Sequence, residues 1–121
     1  MTRHTADLED FVLNCQMKKE LKARNRKHAR QRKQWGFCDE DCWNLFYVIA
    51  KFVLPRLVRF REMPRVSYPN GLSTKQWSCI LDKIIAAFKI LVKDDLASNK
   101  EACIVRHGLK LFAKWFEHLW D

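Results

Sequence analysis

Only three Gly and three Pro punctuate this 121-residue chain, and no stretch before Gly36 contains either. Hairpins and sandwiches need a turn signal about every 8–12 residues. So few breakers leave long helices as the economical way to fold the chain. With 48% apolar and 12% aromatic residues there is enough material for a real core. Strand-type alternation is nowhere sustained, and the apolar residues recur at three and four. The expected fold class is all-α: a compact bundle of about four helices with a protruding basic N-terminal helix. Residues 1–35 form that helix with its arm, and residues 36–121 form the bundle.

The first helix is predicted from Thr5 as N-cap, with Asp7, Glu9 and Asp10 answering the dipole and Leu8, Phe11, Val12 and Cys15 on one face. The stripe continues through Met17 and Leu21 and stops at Asn25 and His28, so the second half of the helix is read as having no face to bury. Gly36 then breaks the chain. CDEDCW opens a second helix, capped near Cys38 or Asp39, with Asp39, Glu40 and Asp41 in its first turn. It runs through Trp43, Phe46, Tyr47, Ala50 and Val53 and is expected to kink or end near Leu54, because Pro55 follows. Residues 42–54 are apolar nearly all round, which suits a central helix or one that is half core and half interface.

EMPRVSYPNGL, residues 62–72, is the clear loop. Ser73 with Gln76 makes a capping box for a third helix carrying Trp77, Ile80, Leu81, Ile84, Phe88 and Leu91, closed by Asp94 and Asp95. Ser98 with Glu101 makes another, for a last helix with Val105, Leu109, Phe112, Phe116 and Leu119.

The net charge of +9 is concentrated in one place. Residues 18–34 hold nine Lys or Arg against Glu20 alone, leaving 14 bases against 13 acids elsewhere. Such a block suggests a polyanionic partner: nucleic acid, whether RNA or DNA, an anionic membrane surface, or an acidic protein surface. In a helix, Lys18, Lys22, Arg26, Arg30 and Lys33 form one ridge, with Lys19, Arg24 and Lys27 beside it and Arg32 nearby. Trp35, off every apolar stripe, could stack on an unpaired base. These ten residues are the expected partner-binding set. A membrane-surface role is disfavoured because the basic half lacks an inserting face.

Five cysteines and no apolar leader are read as reduced thiols in a cytosol, and the run at 42–54 is too short to span a bilayer. Cys38 and Cys42, one turn apart, are a weak zinc signal, so small buried cysteines are the default and neither metal nor cofactor is expected. Three scattered glycines allow neither a phosphate-cradling loop nor a dinucleotide fingerprint. His107 and His118 lack a nucleophilic elbow or a partner acid, so no enzyme is expected. A magnesium nuclease using Asp39, Glu40 and Asp41 ranks well below the other readings, because acids in a first turn commonly answer the helix dipole.

Two resemblances add context. RNRKHARQRKQW resembles the arginine-rich, hairpin-RNA-binding peptides of lambdoid phage antitermination proteins, which implies RNA as a partner. From Gly36 to Asp121, GFCDEDCWNL, LPRLVRF, YPNGL, WSCILDKIIAAF and GLKLFAKWFEHLWD resemble a group of small phage and prophage proteins without assigned activity. Cys38 departs from the Ser or Thr cap usual there. The likeness implies a phage protein in a bacterial host cytosol, where small phage proteins often block defence by stoichiometric binding, as some anti-CRISPR proteins do, with RNA, DNA or a host ribonucleoprotein as the partner. The alternative is an oligomeric phage assembly or replication accessory that binds DNA without sequence preference, joined as a homo-oligomer through residues 42–54.

Overall fold

The computed structural model describes residues 2–64, 68–93 and 98–120, with the side chains of Glu9 and of residues 11 onward. As expected it is all-α, with no strand among the described residues. The helices are α1 (Thr2–Trp35), α2 (Asp39–Trp43), α3 (Leu45–Glu62), α4 (Thr74–Leu91) and α5 (Asn99–Trp115), followed by a 3-10 turn at Phe116–His118. Asp94 and Asp95, expected to close α4, lie outside the described residues, as do positions 65–67 of the central loop and the side chains of Asp7, Leu8 and Asp10. The chain divides into two compact units, residues 1–44 and 45–121, so the division falls after α2 and not at Gly36.

In the second unit, α4 is the hub, packed by α3 and by α5. Its period-3.6 stripe buries Trp77, Leu81, Ile84, Ile85 and Phe88, and Ala50 and Leu57 of α3 meet that face. Both predicted capping boxes are formed. Ser73 Oγ accepts from Gln76 N at 3.2 Å, and Ser98 Oγ accepts from Glu101 N at 3.2 Å. Glu101 also takes a bond from Lys93 Nζ at 2.7 Å, and that bond, with Ser98 N, holds its carboxyl below the usual glutamate range. Arg61 and Asp82 pair through two bonds, one of 3.1 Å from Nη2 to Oδ2, linking α3 to α4. Mid-helix Gly108 of α5 is buried where α5 crosses α4.

Several boundaries differ from expectation. The backbone is helical from Thr2, so Thr5 lies inside α1 and is not its cap. The second predicted helix is broken at Asn44, whose φ of −131° and ψ of 59° are not helical. It then continues past Leu54, through Pro55, to Glu62. Proline removes the bond to the carbonyl four residues earlier; here that carbonyl belongs to Lys51, and both residues are exposed, where water can satisfy it. The last helix gives way to the 3-10 turn before Phe116, which is exposed. No helix among the described residues is long and apolar enough to cross a membrane.

Candidate functional site

The first unit is built from α1 and α2. Lys, Arg, Ala and Gln favour helix, so the basic run prolongs α1 without interruption to 34 residues, about 51 Å at 1.5 Å per residue. Gly36 ends it: φ of +86° is cheap only for glycine, and Gly36 N closes the last turn on Arg32 O at 2.9 Å. The chain reverses there, and α2 returns onto the last turns of α1.

That return corrects the view that the basic half has nothing to bury. His28 is 3% exposed and Gln31 8%, and both meet α2. Gln31 engages one residue twice: its Nε2 donates to Asp39 Oδ2 at 2.8 Å, and its Oε1 accepts from Asp39 N at 2.8 Å. His28 Nδ1 lies 3.4 Å from Glu40 Oε2, and its ring meets Trp43 edge-on at 5.7 Å. Cys38 N donates to Asp41 Oδ2 at 3.1 Å. The three acids of the first turn therefore engage three different partners.

The ten predicted binding residues, Lys18, Lys19, Lys22, Arg24, Arg26, Lys27, Arg30, Arg32, Lys33 and Trp35, are all exposed. At about 100° per residue, the ridge of Lys18, Lys22, Arg26, Arg30 and Lys33 points roughly opposite to the His28–Gln31 side. Arg24, expected beside the ridge, falls about 180° from it by the same rotation, and Lys27 lies at the edge, 3.7 Å from Asp39 Oδ2. Trp35 projects on the α2 side of the helix, its ring 5.7 Å from that of Phe37. The ridge and the candidate stacking residue therefore occupy different faces.

The predicted apolar faces are less covered than expected. Phe11, Val12, Leu13, Met17 and Leu21 of α1 are exposed, as are Leu45, Phe46, Ile49 and Phe52 of α3. The helix at 45–54 is thus half core and half open surface. His107 and His118 are exposed, with His118 stacked edge-on against Trp115 at 5.4 Å. Cys38 is fully buried while Cys42 is exposed, so the expectation of buried cysteines holds for the first alone. The grouping that sequence reasoning missed is His28, Cys38 and Glu40, which come together from two helices. No regular spacing announces it, since His28 and Cys38 are ten positions apart across a reversal.

Gln31→Ala is expected to loosen α2 from α1 at a cost of about 1–3 kcal/mol, because both bonds to Asp39 are lost together. Hydrogen exchange of the α2 amides should rise while that of α4 stays unchanged. No protein family, curated protein or solved structure matches this chain.

Proposed function

We propose that this is a non-enzymatic binding protein of phage type whose basic helix engages nucleic acid or a host nucleoprotein, and so inhibits a host defence nuclease such as a CRISPR effector. The observation that carries the reading is the five-cation ridge, exposed along one face of an unbroken helix whose opposite side is held by α2. Cations at i, i+4 spacing repel one another by a few tenths of a kcal/mol per pair. An array that is costly to the free helix is readily explained by a polyanion that neutralises it. The phage assignment rests on the resemblance of residues 36–121 and of the basic peptide.

The test replaces the ridge alone: Lys18→Ala, Lys22→Ala, Arg26→Ala, Arg30→Ala and Lys33→Ala. None of these side chains contributes to the α2 contacts above, so helicity should be retained. Partner capture from a bacterial lysate should be lost. With duplex DNA as probe, the log–log salt slope of the unsubstituted protein should be about −4.5 for five neutralised phosphates. Capture that is undiminished by the five substitutions would remove the basis of the assignment. Capture that resists nuclease treatment but still needs the ridge would identify an acidic protein surface.

The exposed apolar face of α3 favours a second reading, an assembly or replication accessory joined through that face. Light scattering separates the two. A concentration-independent monomer excludes the second, and a large symmetric oligomer with sequence-blind DNA binding excludes the first.

A further inference from the structure

The geometry points to a Zn²⁺-type metal site formed by His28, Cys38 and Glu40, which joins α2 to the C-terminal turns of α1. One ligand atom from each residue, a ring nitrogen, the thiol sulfur and a carboxylate oxygen, lie within 4.8 Å of one another. Tetrahedral zinc with these donors has ligand–ligand edges of about 3.3–3.6 Å, from its metal–ligand distances of about 2.0–2.3 Å. The 3.4 Å between His28 Nδ1 and Glu40 Oε2 already matches, and the remaining edges lie within 4.8 Å.

Three features separate this grouping from an ordinary polar contact. Cys38 is 0% exposed and His28 3%, so the two softer donors are already withdrawn from water and held by the fold. Cys38 is also the N-cap of α2, a position where an oxygen side chain caps far better than a thiol, which accepts only weakly. A cysteine there gives up capping strength and gains a soft ligand. Finally, the neighbouring acids have other partners, Asp39 with Gln31 and Lys27, and Asp41 with Cys38 N, so Glu40 is the carboxylate placed for the metal.

The donor set selects the metal class. A thiolate and an imidazole suit Zn²⁺ or Co²⁺, and Mg²⁺ or Ca²⁺ would require oxygen donors throughout. Binding transfers the Cys38 thiol proton to solvent, and thiolate and carboxylate together balance the two charges of the ion. Three protein ligands would leave a fourth position for water, and the Glu40 side chain is exposed. The metal would lock α2 in place and fix the end of the basic helix, independently of what the ridge binds.

The test uses the full chain under reducing conditions, with Co²⁺ as probe. Cys15→Ser, Cys42→Ser, Cys79→Ser and Cys103→Ser together remove the exposed thiols and leave Cys38. This variant should bind one equivalent of Co²⁺ with thiolate-to-cobalt charge-transfer absorption, displaced by Zn²⁺. Adding Cys38→Ser should abolish the absorption, and His28→Ala should weaken binding while the sulfur band stays visible at higher Co²⁺. Absence of the band in the four-serine variant, or its survival with Cys38→Ser, overturns the proposal. X-ray absorption at the zinc edge of the unsubstituted protein gives a check that does not depend on any variant folding. One sulfur with nitrogen and oxygen donors is expected, and a shell with no sulfur or with several is the contrary result.

Discussion

Gly108→Ala should destabilise the α3–α5 bundle by about 2 kcal/mol, against the usual rule that alanine improves a helix. A Cβ at this position would lie 2.2 Å from Ala87 Cβ and 3.0 Å from Lys83 O. Neither obstacle is the end of a flexible side chain, so α4 and α5 would have to separate. Overpacking of this kind costs about 1–3 kcal/mol, here toward the upper end. Higher helix propensity returns about 1 kcal/mol of it. For a unit of this size the melting midpoint should fall by about 8–16 °C. Adding Ala87→Gly should recover much of the loss by removing the nearer obstacle. A double variant no more stable than Gly108→Ala alone would show that the close crossing is not the cause.

Trp77→Ala should cost more, about 3–5 kcal/mol, a large share of what holds a domain of this size together. Trp77 is 1% exposed and is the largest fully buried side chain among the described residues. It packs on α5 through an edge-on contact with Trp115 at 5.8 Å. The control is Trp120→Ala in the same unit, where the ring is 68% exposed and the change should stay within about 0.5 kcal/mol. Denaturant midpoints compare the two directly. Equal losses would mean that burial does not set the energetics of these tryptophans.

The bundle was legible in the sequence because its signals are apolar and periodic. The stripe of α4 repeats at three and four, and Ser73–Gln76 and Ser98–Glu101 mark two helix starts with paired side-chain and backbone bonds. Pro55 misled because it and Lys51 lie at exposed positions, where a helix can tolerate the hydrogen bond a proline removes. The Asn44 break has no breaker residue to announce it. The face made by His28 and Gln31 was illegible for a different reason. Hydropathy periodicity detects apolar burial, and here a histidine and a glutamine are buried by polar partners eight and twelve positions onward, across a glycine reversal. A basic run with an amide and an imidazole three apart, followed by Gly and an acid cluster, is the trace such packing leaves.

The docking of α2 on α1 therefore rests largely on amide, imidazole and carboxylate groups, with Cys38 and the edge-on Trp43 ring as its apolar share. Burying polar surface and burying apolar surface change the heat capacity with opposite signs. The bundle, built on Trp77, Leu81, Ile84 and Phe88, should have a strongly curved stability profile with temperature. The α1–α2 contact should have a flatter one, so that cooling, which weakens apolar cores, loosens the end of the basic helix less than the bundle.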